Sequence, residues 1–121
     1  MELAYLIFDF SDEESGCGSF DAMASVLPDR VPALLAEVQA VLRWAHQAFG
    51  PPSAAEGDGG WDFDLHGTTE AHAPWALAYD PGPGTVSAGQ AGPGRATLTL
   101  TIGGPRPFCD ALRDAFSIAE L

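Results

Sequence analysis

The chain has 121 residues, 46% of them hydrophobic, which is enough for one compact domain with its own core. Seventeen acidic residues against five basic ones give a formal net charge of -12. This balance argues against nucleic acid and anionic membranes as partners, because phosphate binding needs a cationic surface, and it fits a protein partner with basic groups better. A homodimer is the other partner that we expect.

All five basic residues are arginines and the chain has no lysine or asparagine, a composition typical of a GC-rich, bacterial genome. Cys17 and Cys109 are far apart and match no zinc spacing, so we expect free thiols in a reducing compartment. The apolar run at 3–8 is shorter than a signal-peptide core, and no run approaches the roughly 20 apolar residues of a membrane span. We therefore expect a cytoplasmic protein.

The first 27 residues predict a β-hairpin. Residues 3–10 (LAYLIFDF) are aromatic and branched, which favours a strand, and SDEESGCG supplies turn residues. In the next segment Phe20, Ala22, Ala24 and Val26 alternate with other residues, as in a strand with one buried face, although the alanines also allow a short helix. The two strands would pair across the acidic turn.

The spacing of apolar residues predicts a helix over 30–49, with Asp29 as its N-cap, Pro32 in its first turn and Gly50 after its end. PPSAAEGDGG (51–60) then predicts an exposed, mobile loop, because it offers no large apolar side chain. Both elements fit one domain over 1–121.

Four further strand segments follow the loop. WDFDLHG and PWALAYD alternate apolar and polar residues, TVSA is a short strand, and RATLTLTI places leucines inside and threonines outside. A last helix is predicted from about Arg106 to Ile118. The order β-β-α-β-β-(β)-β-α indicates an α+β fold, a two-layer sandwich of an antiparallel sheet of five to six strands with two helices on one face.

Two features point to a protein partner. Asp12, Glu13 and Glu14 form the densest negative patch and would steer association with cationic groups. Trp44 lies off the apolar stripe of its helix, and an exposed tryptophan is a candidate contact residue. The leading hypothesis is a non-catalytic interaction module that binds a basic protein or self-associates.

The stretch WDFDLHGTTEAH supports an alternative, a metal-dependent hydrolase. On a strand Asp62, Asp64 and His66 share a face but span about 13 Å, too far for all three to bind one ion. Asp64 and His66 would need Glu70 or His72 to fold back from the following turn, with Glu70 as base. The stretch matches neither the helical zinc motif nor the calcium loop.

A third hypothesis is a small-molecule binding module with a cavity lined by Trp61, Phe63, Trp75 and Tyr79. The glycine-rich run at 82–94 contains neither a phosphate-binding loop with its lysine nor a GxGxxG turn, and no GxSxG elbow is present. The sequence thus predicts no cofactor and identifies no catalytic residue.

Overall fold

The computed structural model describes residues 3–12, 16–52 and 60–118, with only the backbone of Asp12. Glu13, Glu14 and most of the loop predicted at 51–60 lie outside the described residues. The elements are β1 (Asp9–Asp12), β2 (Gly18–Val26), a 3-10 turn (Pro28–Arg30), α1 (Val31–Phe49), β3 (Asp62–Thr68), β4 (Pro74–Trp75), β5 (Leu77–Asp80), β6 (Thr85–Ala88), β7 (Ala96–Gly104) and α2 (Arg106–Phe116).

The main sheet has five strands in the order β1-β2-β7-β3-β4, and every neighbouring pair is antiparallel. β5 and β6 form a separate antiparallel pair. This architecture confirms the predicted α+β sandwich, including the hairpin of the first two strands. The last long strand in the sequence, β7, occupies the centre of the sheet.

Alternation of side chains builds the core beneath β2 and β7. Phe20, Leu98, Leu100 and Ile102 are fully buried, whereas the residues between them face the other side of the sheet. Both helices contribute to the same buried cluster, α1 through residues such as Leu34 and α2 through residues such as Phe108 and Leu112. The helices therefore cover one face of the sheet.

Both predicted helices are present, and their first and last residues differ slightly from the prediction. α1 ends where Gly50 adopts a positive φ of 79°. Asp29 lies in the 3-10 turn and makes no capping hydrogen bond, so the predicted N-cap is wrong. α2 stops two residues earlier than predicted, because Ser117 turns into the left-handed region with a φ of 54°. Neither described helix is long and apolar enough to cross a membrane.

The first strand begins later than predicted. Residues 3–8 are irregular, and strand pairing starts at Asp9. The carboxylate of Glu37 on α1 accepts hydrogen bonds from the backbone amides of Ala4, Tyr5 and Leu6, at 2.7, 2.9 and 3.0 Å. These contacts satisfy amides that strand pairing would otherwise have to satisfy.

The segment PWALAYD, predicted as one strand, is divided at Ala76. β4 pairs with β3, whereas β5 leaves the main sheet and pairs with β6. The β5–β6 hairpin is held beside α1, because Val86 donates its amide to Gln39 Oε1 at 2.9 Å and Arg43 donates to the Gly84 carbonyl. Side chains of α1 therefore form hydrogen bonds with β6 and with the turn that precedes it.

Candidate functional site

The face of the main sheet opposite the helices is polar and exposed, and we call it the open face. β7 contributes threonines, β2 contributes acidic and small side chains with one methionine, and β3 contributes carboxylates and a histidine. Its residues are Asp9, Asp21, Met23, Ser25, Asp62, Asp64, His66, Thr68, Thr97, Thr99 and Thr101. The alternation that buries the other residues of these strands places these side chains together.

Three carboxylates and a threonine form one row across four strands of the open face. In the strand register Asp9 is opposite Asp21, Asp21 is opposite Thr101, and Thr101 is opposite Asp64. We call Asp9, Asp21 and Asp64 the acidic row. It spans three strand spacings, roughly 14 Å in all. Asp62, on the same face of β3, adds a fourth carboxylate beside the row.

Two hydrogen bonds orient the carboxylates of this row. Thr101 Oγ1 donates to Asp21 Oδ1 at 2.7 Å, and His66 Nδ1 donates to Asp64 Oδ2 at 2.9 Å. Asp64 and His66 remain largely exposed, with 72% and 61% of their side chains accessible. Each of these carboxylates keeps further lone pairs for an incoming donor.

Two depressions lie in line along β7 on the open face. The first has a volume of about 380 Å³ and is lined by Asp62, Asp64 and Thr101 among others. The second has a volume of about 430 Å³ and is lined by Met23, His66 and Thr99 among others. Both depressions are lined by residues of β2, β3 and β7, with Thr101 in the first and Thr97 and Thr99 in the second. We call this pair of depressions the β7 groove.

Four of the five arginines lie on elements other than the strands that form the open face. Arg30 lies in the 3-10 turn, Arg43 on α1, and Arg106 and Arg113 on α2. Only Arg95 lines the β7 groove, at its far end, where it donates to the Ser25 carbonyl at 3.0 Å. The acidic row therefore meets no arginine of its own chain on this face.

The structure brings three of the four predicted metal ligands to one place. His66, Glu70 and His72 line the same depression of the β7 groove, whereas Asp64 lies in the neighbouring one. His72 has a positive φ of 64° in the turn that follows β3. Within residues 3–12, 16–52 and 60–118, however, no three His, Cys, Asp or Glu side chains are close enough to hold a metal ion. The metal site stays a prediction.

Of the predicted partner-binding residues, the structure describes Trp44 fully and the acidic patch only in part. Trp44 is half-buried, with its ring 5.8 Å from Phe108, 5.8 Å from Phe116 and 5.9 Å from Phe49, centroid to centroid. The helical wheel of α1 could not show that α2 packs on this side. Of the acidic patch, the structure describes only the backbone of Asp12, in β1. Partner binding by these residues stays a prediction.

Of the four aromatic residues proposed to line a cavity, Trp61, Phe63 and Tyr79 form ring contacts within the set. Trp61 stacks on Phe108 at 5.6 Å and on Phe63 at 5.9 Å, and the Tyr79 ring meets Phe63 edge-on at 6.3 Å. Trp61 and Trp75 are both buried, as core or edge residues are expected to be. The rings of Trp61 and Phe108 fill the space between sheet and helices at this point.

Of the two cysteines, Cys109 is a free thiol. Cys109 is buried in α2, and its thiol donates to the carbonyls of Gly104 and Gly18 at 3.5 and 3.6 Å. Burial raises the pKa of the Cys109 thiol above its ordinary value. A raised pKa keeps the thiol protonated and therefore poorly nucleophilic.

Sequence reasoning found part of the open face and missed the rest. The outward row of Asp62, Asp64 and His66 was predicted from the alternation in β3, and the structure places all three there. Asp9, Asp21 and Met23 were missed. The available signal was the spacing of two along β2, whose outward positions carry Asp21 and Met23, whereas Asp9 lies on β1. Their meeting with β3 depends on the pairing of β1 with β2 and on the pairing of β2 and β3 with β7.

Comparison of the chain with protein-family models, curated proteins and solved structures finds no significant match.

Proposed function

We propose that the protein is a non-catalytic interaction module whose open face binds a basic segment of another protein. The observation that carries this proposal is the acidic row with Asp62 beside it, on a face that the helices do not cover. Four carboxylates at this spacing attract arginine and lysine side chains, which form charge-assisted hydrogen bonds with them. The net charge of -12 adds long-range steering toward a cationic partner.

Charge favours another protein over a second copy on this face. Two open faces brought together would set eight carboxylates against each other, with a single arginine, Arg95, at the end of each groove. Like charges in a desolvated interface cost several kcal/mol. Self-association through the open face is therefore disfavoured.

The hydrolase alternative receives less support from the same residues. His66 and Glu70 share one depression, but the described side chains include no set of three placed to hold an ion. His66 also forms a hydrogen bond with Asp64, an arrangement that suits a polar surface as well as a reactive one. A binding surface uses all four carboxylates of the open face. The predicted metal site would use only one of these four, Asp64.

The test is a titration with a synthetic peptide of alternating arginine and serine, followed by calorimetry at low salt. The double variant Asp21→Asn, Asp64→Asn removes two charges from the acidic row and keeps the shape of both side chains. Its dissociation constant for the peptide is expected to rise at least about tenfold, because two charge-assisted contacts are lost.

The matched control removes the same charge elsewhere. Asp29→Asn with Asp114→Asn neutralises two exposed carboxylates on the helical side, in the 3-10 turn and in α2. This variant is expected to bind the peptide within about twofold of the parent protein. Equal losses in both double variants would mean that net charge alone drives binding, and the open face would lose its assignment.

A further inference from the structure

We infer that the segment bound by the open face is a basic amphipathic helix of the partner, with an apolar side chain seated on Met23. This inference rests on the proposed function and adds to it the conformation and the apolar contact of the bound segment. Three observations carry it: the exposure of Met23, the dimensions of the β7 groove, and the position of the carboxylates relative to the methionine.

Met23 is an apolar side chain in the middle of a charged surface. It is 69% exposed, although it lies on β2, an interior strand of the five-stranded sheet. In the strand register Met23 is opposite Thr99 of β7, and Thr99 is in turn opposite His66 of β3. Methionine is flexible and polarisable, and it is enriched where a surface receives apolar side chains of a partner.

The β7 groove has the length of a short helix. From Thr97 to Gly103 the central strand advances six residues, roughly 20 Å at the rise of an antiparallel strand. A helix of about 13 residues has the same length. A segment that lies on the face of a sheet cannot pair its backbone with the strands, so a helix, which satisfies its own backbone, is favoured.

The spacing of charge and apolar contact also suits a helix. Asp21 and Met23 are two residues apart on β2 and point the same way, roughly 6.7 Å from each other. Residues i and i+4 of a helix lie about 6 Å apart on one side of it. An arginine that binds Asp21 therefore places the residue one turn away over Met23, and β3, on the other side of β7, offers Asp64 to a second arginine.

The experiment uses three 14-residue alanine-based peptides of equal charge with the intact protein. The first carries arginines and leucines at i, i+4 spacing, the second has glutamine in place of leucine, and the third has a central proline that prevents a continuous helix. We expect the first to bind at least about tenfold more tightly than the other two and to gain helical circular dichroism on binding.

Met23→Ser provides the matching change on the protein. It is expected to remove the preference for leucine over glutamine, whereas Ile7→Ser, at an apolar side chain that is 75% exposed outside the open face, leaves it unchanged. Equal affinity for all three peptides would overturn the inference that the bound segment is a helix. If the double variant Asp21→Asn, Asp64→Asn then still lost binding, the proposed function would stand. Absence of binding by every peptide would overturn both.

Discussion

The buried carboxylate of Glu37 replaces strand pairing for the start of the chain. Among the described residues Glu37 is the charged residue that is buried, with 8% exposed. Its carboxylate accepts hydrogen bonds from the backbone amides of Ala4, Tyr5 and Leu6. Three donors converge on its two oxygens, which satisfies a carboxylate that burial would otherwise make costly. The apolar residues 3–8 are thereby attached to α1 rather than to a sheet.

At this residue we predict that Glu37→Gln lowers the free energy of unfolding by about 2–3 kcal/mol, because an amide offers one acceptor oxygen and brings donors toward the amides of residues 4–6. Urea unfolding measures the change. Glu70→Gln makes the same substitution at an exposed position and is expected to cost less than about 0.5 kcal/mol. A similar small cost for Glu37→Gln would show that these hydrogen bonds contribute little.

At the scale of the element, the division of PWALAYD depends on a glycine. Gly67 in β3 is opposite Trp75 in β4, and a Cβ at Gly67 would lie 2.7 Å from the indole and 2.9 Å from Leu77 Cδ1. The indole covers the bare backbone, and its Nε1 donates to the Gly89 carbonyl at 2.8 Å. This packing holds Trp75 against β3, and the chain leaves the main sheet directly after it.

We therefore predict that Gly67→Ala destabilises the protein by about 1–3 kcal/mol, since the buried indole has to move to admit a methyl group. Thermal unfolding and tryptophan fluorescence measure the loss of stability and the displacement of Trp75. Gly89→Ala is the control, because a Cβ there meets Ala76 at an ordinary 3.4 Å. Equal effects of the two substitutions would contradict this role of Gly67.

These elements also show what the sequence could predict. Local alternation along β7 and three- and four-residue spacing along α1 and α2 were sufficient to identify them, because each pattern is set by the element itself. The irregular segment 3–8 and the break at Ala76 depend on Glu37 and Gly67, which are distant in sequence or act through packing. The acidic row likewise required the register of four strands, which no single segment contains.

At the scale of the whole molecule, negative charge opposes folding while it favours the proposed binding. Asp9 and Asp21 are directly opposite in neighbouring strands, a like-charge pair that costs stability. Four of the five arginines lie on the helical side and leave this repulsion uncompensated. An acidic row that weakens the fold is consistent with a surface kept for a cationic partner.

Salt is accordingly expected to act in opposite directions on the two properties. Raising sodium chloride from about 20 mM to about 0.5 M should increase the melting temperature by a few degrees, because screening weakens the self-repulsion of the net charge. The same change should weaken binding of the arginine peptide, because screening also weakens attraction between opposite charges.

The variant Asp9→Asn tests the repulsion within the acidic row. Its free energy of unfolding at low salt should exceed that of the parent protein by about 0.2–1 kcal/mol, and its melting temperature should depend less on salt. Calorimetry at matched salt concentrations measures both quantities. If salt lowered the melting temperature, repulsion would not limit the stability of this fold; if binding were insensitive to salt, the carboxylates of the open face would not be the groups that the peptide contacts.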